Sequence, residues 1–368
     1  MRVLFVVSTL AGSGPTNQLY SLIRNLDRRS FDPFLLTMSP EPQRNSAWGQ
    51  FERLGVKIDT LGLSRVRGLL FSVSRTRRFV SEVQPDLVHT QGFRADSLSV
   101  SALKGFPSVC TSRNYPLADY PSKFGRLRGT LMAQRHIQVL KKLNVVACSH
   151  AIGSQLRTHG ISANVVQNGV DAQKFRPVDT VDKAALRRRL GLPEDGIVLL
   201  SVGGLIPRKD MLTVVEAFEA ANLGEKARLV VLGDGPQESV LRAQTGATVL
   251  FKGHVDNVKD YLSAADVFVS GSLSEGLPNT VLEAMASGLP CILSDIPSHR
   301  ELQEDENWFF SCRDVSGLAG KLASISESDL SLLGCVSRAR VEKQLSAERM
   351  AAEYQEVYLK VMGQRDGK

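Results

Sequence analysis

A short apolar strand, a loop of small residues and an amphipathic helix open this chain, and the same succession restarts in its second half. Arg2–Val7 lead through Ser8–Gly14 into a run with Leu19, Leu22, Ile23 and Leu26 at helical spacing. Ile197–Val202 lead through Gly203-Gly204-Leu205-Ile206-Pro207-Arg208-Lys209-Asp210 into the second such unit. Further strands are expected at Phe34–Thr37, Val56–Asp59, Asp86–His89, Ser108–Thr111, Asn144–Cys148 and Val165–Val166. Others are expected at Arg228–Leu232, Val249–Phe251, Ala264–Val269 and Cys291–Leu293. Strands alternating with helices make parallel α/β sheets, and 368 residues exceed one ordinary core. Asn168-Gly169 with Asp171 and Pro177 marks a break. The expected layout is a domain at 1–170, a linker at 171–186, a second domain at 187–346, and a helix with tail at 347–368. The helix, Ala347–Met362, has apolar positions at Met350, Ala351, Tyr354, Val357, Tyr358 and Val361, and Gln364–Lys368 reads as an unstructured tail.

The chemistry concentrates between Ser270 and Glu301. Small and turn residues run to Glu275-Gly276-Leu277-Pro278, and a helical run, Val281–Ala286, follows with Asn279 and Thr280 as candidate N-caps. Gly288-Leu289-Pro290 should stop it. A helix N-terminus after a tight loop offers amides and a positive dipole end to a phosphate or diphosphate. Glu275 and Glu283 cannot bind phosphate, but carboxylates accept hydrogen bonds from sugar or ribose hydroxyls. Taken singly, both read as a helix-solvating glutamate and a surface-loop glutamate. Gly203-Gly204 before Lys209 suits a diphosphate as well, whereas Arg208 either turns inward or stays on the surface.

The pattern Glu275-Gly-Leu-Pro, then Glu283-Ala-Met-Ala-Ser-Gly-Leu-Pro, resembles the E-x7-E signature of retaining glycosyltransferases with the GT-B fold, in particular glycosyltransferase family 4. The resemblance implies an α/β architecture of two Rossmann-like domains facing a cleft, with the C-terminal helix crossing back to the first. It implies that Glu275, with Gly276, Leu277, Pro278 and Asn279, holds the donor sugar. Glu283 would hold the ribose, with Thr280, Gly203, Gly204 and the backbone of Gly253, His254 and Val255 around the nucleotide. Glu275, Lys209 and Arg208 are the implied catalytic groups. The implied reaction retains configuration at the anomeric carbon. A nucleotide-sugar, UDP-sugar favoured over GDP-sugar, is the substrate, so no cofactor is expected. No D-x-D motif occurs, so no catalytic metal is expected. The family's arginine position is Gly204 here. Competing readings are a GT-B-shaped epimerase or phosphorylase, or a nucleotide-sugar-binding protein with weak turnover.

In the first half the resemblance implies an acceptor side. Gly14 and Asn17 stand where a glycine-rich loop enters the first helix. Pro85-Asp86-Leu87-Val88-His89-Thr90-Gln91 resembles the family's His-x-His stretch, with Gln91 in place of the second histidine. A lone histidine such as His89 is more often structural than catalytic, while Gln91 can still donate and accept hydrogen bonds to a sugar. Arg113 and Asn114 follow another strand and could line the same side or be solvated loop residues. The acceptor would be a saccharide or lipid-linked saccharide.

Hydrophobic residues make up 43% and charged residues 23%, an ordinary globular mixture. No apolar run approaches the ~20 residues of a membrane span, and Met1-Arg2 before a short strand does not read as a signal peptide, so a cytoplasmic location is expected. The five cysteines, Cys110, Cys148, Cys291, Cys312 and Cys335, are widely spaced and read as reduced core residues. A net charge of +7 suggests an anionic partner. No interleaving of arginine with aromatics points to nucleic acid. Two acid-free basic stretches, Ser64–Val80 with five arginines and the expected helix Ser122–Lys142, suggest an anionic membrane surface or simply solvated faces.

Overall fold

The apolar runs become the strands of two parallel sheets. The structure, a computed structural model, describes residues 1–225 and 227–366, apart from the side chains at 65–67, 69, 70 and 364–366. Among the described residues the chain forms two units, the first containing Met1–Gly169 and the residues from Ala347 on, the second Val170–Ser346.

In the first unit β1 (Arg2–Val7), β2 (Asp32–Thr37), β3 (Lys57–Thr60), β4 (Leu87–Gln91), β5 (Ser108–Ser112), β6 (Asn144–Ala147) and β7 (Ala163–Val165) lie in the order β3-β2-β1-β4-β5-β6-β7. All neighbours are parallel, with Val3 opposite Pro33 on one side and Leu87 on the other. Val3 to Val7 are buried because helices cover both faces of the sheet. The final helix, Ala347–Asp366, lays Met350, Ala351, Tyr354, Val357, Tyr358 and Val361 into the same core as Val3, Phe5, Val109 and Val146. It continues through Asp366, so the first three residues of the expected tail are helical. Gly367 and Lys368 lie outside the described residues.

The second unit contains β8 (Val198–Val202), β9 (Arg228–Leu232), β10 (Val249–Gly253), β11 (Val267–Ser270), β12 (Cys291–Ser294) and β13 (Phe309–Phe310), in the order β10-β9-β8-β11-β12-β13. Both sheets therefore reverse direction of growth beside their first strand, the Rossmann arrangement, and each has one crevice at the carboxyl ends of the flanking strands where ligands bind. The two-residue β13 was not expected, since so short a run carries no periodicity. Residues 171–186, expected as a linker, fold with the second unit. Ala172 and Phe175 are buried there, and Asp179 caps a helix, Thr180–Leu190, by accepting the Asp182 N–H at 2.8 Å. Within that helix Arg187 is buried and donates to the Ala264 carbonyl at 2.9 Å.

Three expectations need correction. The single helix Ser122–Lys142 is two, Pro116–Phe124 and Arg126–Leu140, broken at Gly125 with φ 81. The basic stretches are partly committed to the fold. Lys123 pairs with Asp119 at 2.9 Å, Arg78 with Glu82 at 2.9 Å, and Arg75 and Arg77 donate to the carbonyls of Leu61 and Ala102. The side chains of Arg65 and Arg67 lie outside the described residues. Cys110, Cys148 and Cys291 are buried, but Cys312 and Cys335 are exposed. No helix among the described residues is long and apolar enough to cross a membrane.

Candidate functional site

The crevice of the second sheet lies between β8 and β11, and the loops after these strands carry the candidate residues. After β8 the chain passes Gly203 and Gly204, makes the 3₁₀ turn Pro207–Lys209, and enters the helix Met211–Ala221 through Asp210 at φ 45. After β11 it passes Gly271 to Pro278 and enters the helix Asn279–Ala286. The Leu273 amide donates to the Arg208 carbonyl at 2.9 Å, which ties the two loops together. Only glycine fits at 271, where a Cβ would lie 2.8 Å from the Asp210 carbonyl oxygen. Gly235 in the loop after β9 likewise abuts the Leu205 carbonyl oxygen, 2.5 Å from where its Cβ would be.

This framework brings Glu275, Lys209 and Arg208 together, although the lysine and glutamate are 66 residues apart in sequence. Lys209 Nζ donates to Glu275 Oε1 at 2.6 Å, Arg208 Nη1 to Oε2 at 2.9 Å, and Ser272 Oγ to Oε1 at 2.8 Å. Arg208 therefore turns inward, and also donates to the Ser274 carbonyl at 2.5 Å. The stem of Lys209 crosses Gly203, with Cδ and Cε 3.3 Å from the position a Cβ would take, so a larger residue there would displace the lysine. Burial alone would push the Glu275 carboxyl up. The charges of Lys209 and Arg208, with the hydrogen bonds from Lys209 and Ser272, instead hold it at about 2. Glu275 is an anion whose neighbours are two cations.

The helix Asn279–Ala286 has Pro278 at its N-cap, a residue whose side chain makes no capping hydrogen bond. Asn279 and Thr280, expected as caps, belong to its first turn, because the extended backbone of Pro278 at φ −76 and ψ 114 already starts the helix there. The positive dipole end of this helix lies beside the Glu275 loop. Glu283 lies one turn further and is only partly exposed. Burial raises its carboxyl to about 7 against the opposing charge of Lys174. Gly276 and Pro278 are buried, and Leu277 packs its side chain into the core, so at Leu277 only the backbone remains for a ligand. At Gly204 an added Cβ would meet only the Asp234 carbonyl oxygen, at 3.8 Å. The loss of an arginine there is not a steric requirement of the loop. Gly253 ends β10 at φ 67 and its carbonyl accepts the Gly233 amide at 2.8 Å, while His254 is exposed and Val255 packs partly on the core.

One residue escaped the sequence reading. His299 is fully buried behind the Glu275 loop, where Nδ1 donates to the Ser294 carbonyl at 2.8 Å. Ser294 Oγ in turn donates to the Ser272 carbonyl at 2.6 Å. Burial lowers the imidazole to about 4, so it stays neutral. Its only sequence signal was a histidine shortly after an apolar strand, which is weak.

The first unit divides its candidates differently. His89 is not open to a ligand: it is fully buried, with Nδ1 2.7 Å from the Tyr358 hydroxyl and Nε2 2.7 Å from Thr111 Oγ1. Burial, then the Arg113 charge, lowers it to about 3. Its expected acceptor-side role is therefore replaced by anchoring of the C-terminal helix. Gln91 and Arg113 do meet, Arg113 Nε lying 3.5 Å from Gln91 Oε1, and Arg113 Nη1 donates to Asn168 Oδ1 at 2.6 Å. Gln91 Nε2 and Arg113 Nη2 are shielded from solvent and have no hydrogen-bond partner among the described residues. Asn114 is partly exposed, and its carbonyl accepts from Ser112 Oγ at 3.0 Å. Gly14 and Asn17 are exposed on the helix Gly14–Arg24, which Ser13 caps.

Two family models match, Glycosyltransferase Family 4 over residues 12–174 and Glycosyl transferases group 1 over residues 182–343. TuaC of Bacillus subtilis, named for teichuronic acid biosynthesis, is 34% identical over 58% of this chain and 54% of its own length. The UDP-Gal:alpha-D-GlcNAc-diphosphoundecaprenol alpha-1,3-galactosyltransferase of Escherichia coli is 32% identical over 47% of each. The chain thus spans about half the length of these two curated relatives. Among solved structures, HepE of Anabaena in complex with UDP and glucose superposes with a TM-score of 0.80 at 17% identity, covering 97% of this chain and 99% of HepE. A sucrose-phosphate synthase of Thermosynechococcus elongatus gives 0.82 at 20% identity, covering 99% and 100%. These two likenesses are of fold.

Proposed function

The chain belongs to glycosyltransferase family 4, and from that premise we propose that it moves a sugar from a nucleotide-sugar, a UDP-sugar before a GDP-sugar, to a saccharide or lipid-linked saccharide in cell-surface polysaccharide or glycolipid assembly. The observation that carries this reading is the cluster of Glu275, Lys209 and Arg208 at the crevice of the second sheet, beside the N-terminus of the helix Asn279–Ala286. The diphosphate of the donor faces the first-turn amides near Asn279 and Thr280. An ammonium has three donors and a guanidinium five, so Lys209 and Arg208 can hold Glu275 and a phosphate oxygen together. Glu275, ionised at neutral pH, accepts hydrogen bonds from the sugar hydroxyls. Glu283 accepts from the ribose.

The bond between the anomeric carbon and the phosphate oxygen breaks with its electron pair going to the diphosphate. Lys209 and Arg208 stabilise that charge as it develops. The acceptor hydroxyl attacks from the same face, and its proton passes to the departing phosphate oxygen, so configuration is retained without a protein nucleophile or a metal ion. UDP in the HepE complex and the UDP-galactose donor in the name of the Escherichia coli relative support UDP as the nucleotide. The acceptor in that name, a sugar on diphosphoundecaprenol, supports a lipid-linked one. Exposed Leu127 and Leu131 beside Arg126 and Arg128 support docking of the first unit on an anionic leaflet, and with it a cytoplasmic location at the inner face of a membrane. The test is a panel of UDP-, GDP- and ADP-sugars, each assayed for turnover and for the anomeric configuration of the product. Turnover of a UDP-sugar with retention is expected. An inverted product, or turnover confined to other nucleotides, contradicts the reading.

A further inference from the structure

A cavity of about 500 Å³ opens at the carboxyl edge of the first sheet, within the ~300–1,000 Å³ usual for small-ligand sites. It lies between Met38, which follows β2, and the helices Arg65–Val83, Phe93–Ala102 and Arg126–Leu140. Met38, Val73, Leu98 and Met132 make much of its wall, Arg94 and Arg135 line it as cations, and none of the described residues that line it is acidic. Arg94 is held in place by Ser39 Oγ at 2.7 Å. Gly68 lets it lie close to the neighbouring helix, since a Cβ there would be 3.1 Å from Nη2. The Ser97 hydroxyl also lines the cavity, and although shielded from solvent it has no hydrogen-bond partner among the described residues. Leu127, Leu131 and Arg135 recur every fourth residue along one helix, so they form one stripe. Leu127 is 76% and Leu131 60% exposed, and Leu131 and Arg135 border the cavity. An apolar path therefore leads from the helix surface to a pocket holding two guanidinium groups.

From this geometry we propose that the cavity takes the hydrocarbon chain nearest the phosphate of a lipid-linked acceptor, with Arg94 and Arg135 on the phosphate oxygens and the Ser97 hydroxyl donating to one of them. This rests on the lipid-linked acceptor reading above. A free sugar would leave the apolar wall uncovered, and a bare phosphate would use the cations alone. An amphiphile that joins a hydrocarbon to a phosphate satisfies both halves of the pocket.

The experiment titrates the full chain with farnesyl diphosphate, inorganic pyrophosphate and farnesol by calorimetry, and repeats the farnesyl diphosphate titration on Leu131→Glu and Arg135→Glu. Both positions are exposed, so neither change disturbs the core, and thermal melts check the fold. Farnesyl diphosphate should bind at least about ten-fold more tightly than either pyrophosphate or farnesol, and each variant should weaken it about ten-fold or more, some 1.4 kcal/mol. Equal affinity for pyrophosphate shows that no chain is seated, and equal affinity for farnesol shows that no phosphate is read. Unchanged binding in both variants puts the site elsewhere. Each of these results overturns the proposal. UDP titrated into the same wild-type sample separates the two readings. UDP binding without farnesyl diphosphate binding removes the lipid pocket alone, and the reverse leaves the pocket and removes the donor site.

Discussion

The first six strands of the first sheet have the same order as the six of the second, and each sheet carries polar side chains on or just beyond the strands flanking its reversal, but the two commit them in opposite ways. In the first, His89 is enclosed by the rings of Phe5 and Tyr354, with centroids 5.2 and 5.4 Å away, and both ring nitrogens meet buried hydroxyls. In the second, Glu275 meets two long cationic side chains that keep 17% and 22% of their surface exposed. Lys209 and Arg208 can take a further oxygen without releasing the first. Tyr358 and Thr111 hold His89 inside a packed core, closed to solvent. A place on a strand that flanks the reversal is therefore not sufficient for function, and the exposure and spare donors of a residue's partners decide.

Glu275→Gln should produce the largest effect, because it keeps the shape and removes the anion. Hydrogen bonds to charged groups contribute ~1.5–3 kcal/mol, so sugar transfer should fall by about ten-fold to a hundred-fold. Initial rates with the preferred nucleotide-sugar read this directly, and wild-type rates would erase the contrast between the sheets.

Tyr358→Phe should affect stability instead. It leaves His89 Nδ1 buried without its partner, which costs about 1–3 kcal/mol in a denaturant titration. UDP affinity should stay within about two-fold of wild type. Lost transfer activity with unchanged stability would instead give the first sheet's histidine a chemical role.

Glu283 sharpens the comparison within the second sheet through pH. Its folded carboxyl is raised to about 7 from 4.5, so the folded chain holds this proton more tightly than the unfolded one. The stability it contributes is fully present below pH 4.5 and is lost as pH rises to about 7. Ionisation of the folded carboxyl around pH 7 improves it as an acceptor for ribose hydroxyls, so UDP affinity should rise by a few-fold between pH 6 and pH 8. Glu283→Gln should flatten both profiles. A wild-type affinity that does not change with pH would detach Glu283 from the nucleotide.

Much of this was legible in the sequence for physical reasons. Strand Arg2–Val7 and strand Arg228–Leu232 were readable to the residue, because each is an apolar run bounded by turn residues. The Glu275 loop was readable because glycine and proline punctuate a short helix on both sides. The helix Thr180–Leu190 was not, since Arg187, Arg188 and Arg189 interrupt its apolar pattern. Nor was the fate of His89, whose partner Tyr358 is 269 residues away. The inward turn of Arg208 was likewise open until Glu275 stood 2.9 Å from it. Local chemistry survives in a sequence as spacing, whereas partners brought together by strand order do not.

The claim that the second sheet's crevice holds a nucleotide diphosphate is tested most directly by calorimetric titration of UDP into the wild-type protein and Lys209→Ala. The lysine's stem lies along Gly203 and its ammonium 2.6 Å from Glu275, so its removal takes one cation from the crevice while leaving the buried core intact. UDP should bind the wild type and bind the variant about ten-fold more weakly, in keeping with the loss of one charge-assisted hydrogen bond. Equal UDP affinities in the two proteins would mean that the diphosphate lies elsewhere.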